Sequence, residues 1–135
     1  MSRKSTLPPL SEGQLEIMNY VWDNGEVTVG DIWSDLSTRR EVTRNTVQTL
    51  VVRLRDKGWL RERIDGNVYR YKAAKKRSGT QKQMVAKLLD TAFAGSAEGL
   101  VMALLDARRL SNDEADRIRK LIDEAEKQQG KTGHE

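Results

Sequence analysis

The chain has 135 residues, no cysteine, one histidine and a net charge of +4. That length allows one typical domain, or one small domain with an accessory module. The missing cysteines exclude disulfides, thiol redox chemistry and Cys-ligated zinc.

The first residues, Ser2-Arg3-Lys4-Ser5-Thr6 and then Leu7-Pro8-Pro9, are polar and lack an apolar h-region. They predict a flexible arm over residues 1–10 rather than a secretory leader. No apolar run approaches the roughly 18 residues that a membrane span requires, so no membrane insertion is expected. A cytoplasmic protein is expected.

Helix starts are marked by S/T-x-x-E/Q boxes at Ser11 with Gln14, Thr80 with Gln83, and Ser111 with Glu114. In such a box the first side chain accepts from an orphan helical amide and the fourth reaches back. The first helix is predicted from about Glu12 to Asp23, burying Leu15, Met18, Val21 and Trp22. A short strand at Val27 is expected next. A second helix begins after Thr28, with Val29, Ile32, Trp33 and Leu36 as its apolar stripe. The linker 37–42 is polar and basic, and Thr43 is placed to cap a third helix.

That third helix, Thr43 to Gly58, carries two different faces. Val47, Leu50, Val51 and Leu54 recur at i, i+3, i+4 and i+7 and predict a buried stripe. Asn45, Gln48, Thr49 and Arg53 lie roughly opposite, with Arg44 and Thr46 in the first turn. A merely solvated face usually carries Glu and Lys. Asn, Gln, Thr and Arg instead supply the donors and acceptors that read base edges in a major groove. Gly58 is suited to the left-handed conformation that ends a helix.

Leu60 to Ile64 and Val68 to Tyr71 follow as extended runs joined through Asp65-Gly66-Asn67. Asp-Gly between such runs predicts a two-residue hairpin with a type I′ turn. The hairpin carries Arg61, Arg63, Arg70 and Lys72, and Lys75, Lys76 and Arg77 come next. A base-reading helix followed by a basic hairpin is the winged helix-turn-helix arrangement, with the hairpin lying along flanking phosphates. Charge agrees: residues 38–77 hold 13 basic and 4 acidic side chains, whereas residues 78–135 hold 9 and 10.

Three more helices are expected beyond the hairpin, giving a mainly α protein with one small β-hairpin. Val85, Leu88, Leu89, Ala92 and Phe93 mark the fourth. Leu100, Val101, Leu104 and Leu105 mark the fifth, and Ile118, Leu121, Ile122 and Ala125 the sixth. Roughly 45 residues are few for a separate core. Their stripes are expected to meet the same segment of a second copy in an isologous dimer, rather than fold back on the first domain. The expected organisation is an arm (1–10), a DNA-binding domain (11–77), a helical dimerisation module (78–128) and a disordered tail (129–135). Expected interface residues are Leu88, Leu89, Phe93, Leu100, Val101, Leu104, Leu105, Ile118, Leu121 and Ile122.

Trp22, Trp33 and Trp59 suit packing positions better than stacking platforms. Tyr69 and Tyr71 alternate with charged residues and are expected to be buried against the helices. His134 stands without Cys or clustered carboxylates and is not expected to bind metal. Asp113-Glu114-Ala115-Asp116 spells a helicase box, but no phosphate-binding Gly-rich loop with Lys accompanies it. No cofactor and no enzymatic activity are expected. The readings in play are a sequence-specific regulator, a non-sequence-specific architectural DNA-binding protein and a protein-interaction adaptor.

Four motifs in order resemble the penicillinase-repressor family (BlaI/MecI type, with copper-responsive CopY relatives) over about Leu10 to Lys127. They are Leu10-Ser11-Glu12-x-x-Leu15-Glu16-Ile17-Met18-x-x-Val21-Trp22 and Thr46-Val47-x-Thr49-Leu50-x-x-Arg53-Leu54-x-x-Lys57-Gly58-x-Leu60. Gly66-x-x-Tyr69-x-Tyr71 and Phe93-x-Gly95-Ser96-x-x-Gly99-Leu100-Val101 complete the set. The resemblance implies a homodimeric repressor with a winged helix, a three-helix dimerisation module and a palindromic DNA operator.

Carried over residue by residue, Thr43, Asn45, Thr46, Gln48 and Thr49 occupy groove-facing positions, and Arg44 joins them from the helix pattern. Arg53, Arg63, Asn67 and Arg70 match backbone-contact positions, to which the basic pattern adds Lys72, Lys75, Lys76 and Arg77. Two departures stand out. The antibiotic-resistance repressors are cleaved at an Asn-Phe bond in the fifth helix, where this chain has Ala103-Leu104. The copper-responsive branch ends in a Cys-x-Cys motif, and this chain has no cysteine. The releasing signal, and any sensor or protease partner, is therefore unassigned by sequence.

Overall fold

The computed structural model describes residues 7–132. Residues 1–6 of the expected arm (1–10) and His134 lie outside the described residues. The rest of that arm is held rather than loose, with Leu7 and Leu10 packed against the core and the Pro8 carbonyl accepting from Trp59. The element order is α1 (Glu12–Asn24), α2 (Val29–Leu36), α3 (Arg44–Asp56), β1 (Leu60–Asp65), β2 (Val68–Ala73), α4 (Arg77–Ala92), α5 (Ala97–Ala107) and α6 (Asn112–Thr132). The chain divides into two compact units, at Met84 and Val85 within α4.

Local chemistry sets the ends of the first three helices. Ser11 and Gln14 form a reciprocal capping box on α1, and Thr28 and Asp31 form a second on α2. Thr43 caps α3, its hydroxyl accepting from the Thr46 amide at 3.1 Å. At the other end of α3, Trp59 N–H donates to the Leu54 carbonyl at 2.9 Å and Gly58 N–H to that of Arg55 at 3.1 Å. This paired bonding, with Gly58 at φ +94°, is a Schellman motif. A side chain there would also press on Leu7, whose Cδ2 would lie 3.3 Å from a Cβ at Gly58.

The core of the first unit is one cluster. Ile17, Met18 and Val21 from α1 meet Ile32 and Leu36 from α2 and Val47, Val51 and Leu54 from α3. Val29 at the start of α2 joins them, and Val27, Trp59, Leu60 and Tyr71 close the cluster from the loops and the hairpin. The α3 stripe is as its periodicity predicts, with Leu50 at the margin. On α1 the buried face is centred on Gln14, Ile17, Met18 and Val21 instead. Leu15 and Trp22 are half-buried because the stripe runs one residue to the side of the expected one.

The three tryptophans pack, and each indole N–H finds a backbone carbonyl. Trp22 donates to Lys75 at 2.8 Å, Trp33 to Val42 at 2.9 Å and Trp59 to Pro8 at 3.1 Å. The Trp33 bond pins the loop that leads into α3.

The hairpin is antiparallel, in register from Leu60 opposite Ala73 to Asp65 opposite Val68. Its loop is Gly66-Asn67, and only Gly66 has positive φ, at +63°. This is the φ pattern of a type II′ turn, which places Gly first, so the expected Asp-Gly type I′ turn is corrected. Val27 adds one antiparallel bridge to Tyr71 on the outer edge of β2, with paired bonds of 2.9 and 2.7 Å. Tyr71 is buried as expected. Tyr69 is 50% exposed, because it stands near the hairpin tip beyond the reach of the helices.

Two further expectations are corrected. Thr80 does not cap α4. The helix begins at Arg77, and the Thr80 hydroxyl turns back to the Lys76 carbonyl at 3.0 Å. The last helix runs through Thr132, past residue 128 where the helical module is expected to end. In the second unit, Ser96 caps α5 and Ser111 precedes α6, accepting from the Gly99 and Glu114 amides at 2.9 and 3.1 Å. No residue from 81 to 130 is fully buried.

Candidate nucleic-acid interface

The buried stripe of α3 fixes which side chains it presents outward. With Val47, Val51 and Leu54 held in the core, Thr43, Arg44, Asn45, Thr46, Gln48, Thr49 and Arg53 are all exposed. Three of them are ordered locally. The Thr43 and Thr46 hydroxyls share a 2.9 Å hydrogen bond, and the Thr49 hydroxyl donates to the Asn45 carbonyl at 3.1 Å. Among the described residues, no hydrogen bond or ion pair engages the side chains of Arg44, Asn45, Gln48 or Arg53. A row of uncommitted amide and guanidinium groups on a rigid helix has its donors and acceptors available to a ligand.

Strand alternation sorts the hairpin into two faces. Leu60, Glu62, Ile64, Tyr69, Tyr71 and Ala73 share one face, which is buried near the helices and exposed at the tip. Arg61, Arg63, Asp65, Val68, Arg70 and Lys72 share the other. Register places Arg61 directly opposite Lys72 and Arg63 opposite Arg70. Like charges so placed repel, and their proximity calls for anions nearby.

Protein groups supply some of those anions. Arg63 Nε and Nη2 donate to the two carboxylate oxygens of Glu26 at 2.9 and 2.8 Å, and Arg70 Nε donates to Asp65 at 3.2 Å. The Arg63 hydrogen bonds hold the Glu26 carboxyl below its usual range, with Arg70 and Lys72 adding attraction. Arg61 and Lys72 form no ion pair among the described residues. Arg61, part of the basic hairpin by sequence but absent from the residue-by-residue contact set, is thus a candidate phosphate contact.

The remaining expected contacts divide. Lys75 and Lys76 are exposed and without an ion pair among the described residues. Arg77 is committed to α1. It pairs with Asp23 at 2.8 Å, donates to the Asn19 carbonyl at 3.0 Å and lies 5.4 Å from the centre of the Trp22 ring. Asn67 is exposed at the second position of the turn.

A polar clamp ties the hairpin to α3. Glu62 Oε2 accepts from Arg55 at 2.9 Å and from the buried Tyr71 hydroxyl at 2.8 Å. Burial first, and then the Glu62 carboxylate, push the Tyr71 hydroxyl up to about 12. The angle between α3 and the hairpin is therefore held by the Arg55–Glu62 ion pair as well as by apolar packing, with the buried Tyr71 hydroxyl fixing the Glu62 carboxylate across the strands.

Residues 10–124 match the Penicillinase repressor family. The chain belongs to that family. Its relatives include the methicillin resistance regulatory protein MecI of Mammaliicoccus sciuri, 22% identical over 113 residues, spanning 84% of this chain and 92% of that one. The penicillinase repressor of Bacillus licheniformis is 24% identical over 118 residues, spanning 87% of this chain and 92% of its own. Among solved structures, the DNA-binding domain of the repressor BlaI superposes with a TM-score of 0.50 at 27% identity. It covers 56% of this chain and 92% of that one. The winged helix-turn-helix reading is thereby shown. The family is one of transcriptional repressors and not of enzymes. Among the described residues, no single helix is long and apolar enough to cross a membrane, and no group of three or more His, Cys, Asp or Glu is placed to hold a metal.

Proposed function

We propose that the protein is a cytoplasmic homodimeric repressor that binds a palindromic DNA operator through α3 and the hairpin. The observation that carries this reading is the outward face of α3, where Arg44, Asn45, Gln48 and Arg53 stand exposed and unpaired among the described residues while the opposite face is locked in the core. In the proposed complex α3 lies in the major groove, and Thr43 to Thr46, Gln48 and Thr49 face base edges. Arg53, Arg61, Lys72, Lys75 and Lys76 supply phosphate contacts, which give affinity without sequence choice.

Dimerisation is proposed from the second unit. Leu88, Val101, Leu104, Leu105, Leu121 and Ile122 are exposed, and Leu89, Phe93, Leu100 and Ile118 are only half-buried. That much apolar surface on consecutive helices calls for a covering partner. A second copy fits, because two half-sites give a winged helix of this size its affinity and match a two-fold operator.

The test is selection of bound sequences from a random DNA pool at about 150 mM salt. Enrichment of an inverted repeat is expected. Binding without enrichment would favour the architectural reading, and no binding would favour the adaptor.

A further inference from the structure

Glu26 sits in the loop between α1 and α2, yet it acts on the wing. Val27 forms the bridge to Tyr71 and turns its side chain into the core with Tyr71. Alternation then directs the preceding residue to the opposite face, which carries Arg61, Arg63, Arg70 and Lys72. There Glu26 meets Arg63 through two separate N–H···O bonds of 2.9 and 2.8 Å.

Resting on the repressor reading above, we propose that Glu26 is an internal competitor for DNA phosphate. Its carboxylate holds the Arg63 Nε and Nη2 donors that a phosphate would otherwise take, whereas Asp65 lies farther from Nη2, at 4.0 Å, and accepts its hydrogen bond from Arg70. Arginine binds carboxylate and phosphate with the same planar fork, so one guanidinium cannot serve both in full. The tethered carboxylate is always present, whereas a phosphate must arrive from solution. Glu26 thereby removes one cation from the wing and lowers the number of counterions released on binding. The effect falls on the sequence-independent part of affinity and leaves the α3 base contacts unchanged. Operator and random DNA are weakened by the same factor, so Glu26 sets overall affinity and salt sensitivity rather than base choice.

The experiment measures the salt dependence of binding to an operator and to a random duplex. It compares the wild type with Glu26→Gln, Arg63→Ala and the double variant. Freeing Arg63 with Glu26→Gln should tighten both complexes and steepen the log–log salt slope by about 0.9. The gain over wild type should then be about threefold larger at 50 mM than at 200 mM salt. Arg63→Ala alone should leave the slope unchanged, and the double variant should return to it. Glu26 is exposed in a loop, so these variants are not expected to disturb the core.

An unchanged slope in Glu26→Gln would overturn the proposal. So would a steeper slope that persists in the double variant, or a slope lowered by Arg63→Ala alone. A wild type that binds no DNA would overturn the repressor reading as well, which separates the two failures.

Discussion

The two units of this chain solve the burial of apolar side chains in opposite ways. In the first, three short helices, a hairpin and one bridging residue enclose a core in which Ile17, Met18, Ile32, Leu36, Val47, Val51 and Leu54 are fully shielded. In the second, the helices also have apolar stripes, yet nothing from residue 85 to 130 is fully buried. A stripe reports that a face wants cover but not where the cover comes from. The first unit finds it within the chain, and the second presents it outward.

The largest expected effect tests the closed core. Leu54→Ala should lower unfolding free energy by about 2–5 kcal/mol, measured by denaturant titration, because the site is enclosed on every side. Leu105→Ala, at a position 51% exposed, should cost far less in a sample dilute enough to be monomeric. Equal losses would erase the distinction between the units.

A charge on the open face tests the partner. Leu104→Asp should shift the solution mass towards the monomer and weaken operator binding, because an unpaired carboxylate cannot be buried in an apolar interface. A variant that keeps wild-type mass and affinity would remove Leu104 from the interface.

The buried hydroxyl of the first unit gives a pH signature. The folded-state pKa of Tyr71 is raised from 10.0 to about 12, so its stabilisation is fully present below about pH 10 and is lost as pH rises towards 12. The loss is on the order of 2 kcal/mol. Tyr71→Phe should flatten the decline in Tm between pH 10 and 12, at a cost near neutrality of about 1 kcal/mol for the hydrogen bond to Glu62. Parallel declines in both proteins would show that folding does not raise the Tyr71 pKa.

The smallest effects separate base reading from phosphate contact within the first unit. Asn45→Ala or Gln48→Ala should weaken operator binding by about 1–3 kcal/mol and relax base preference. Lys72→Ala should weaken operator and random DNA alike and lower the salt slope by about 1. Uniform weakening by the Asn45 variant, or an unchanged slope for the Lys72 variant, would reverse those assignments.

Local signals carried much of this fold. The capping box at Ser11, the caps at Ser111 and Thr43 and the Schellman glycine at Gly58 act within four or five residues, so adjacent sequence suffices to read them. The two faces of α3 are legible for the same reason, since 3.6-residue periodicity is a property of one helix. Errors came where two local solutions compete. Thr80-x-x-Gln83 has the chemistry of a cap but lies one turn inside a helix that starts at Arg77, anchored there by Asp23, the Asn19 carbonyl and Trp22. Asp65-Gly66-Asn67 admits two hairpin frames, and the register of Ile64 with Tyr69 selects the one in which Gly66 leads.

Sequence by itself thus determined the elements, the polar and apolar faces of α3, the basic wing and the family. Only the tertiary structure decided which cations are free. Arg63, Arg70 and Arg77 read as part of one basic surface, but each meets a carboxylate, and Glu26 and Asp23 lie 37 and 54 positions away from their partners. Charge along a chain is a sum, whereas phosphate binding depends on which guanidinium already has an anion beside it. That choice depends on long-range packing: a single bridge at Val27 brings Glu26 to the wing, and no local pattern encodes it.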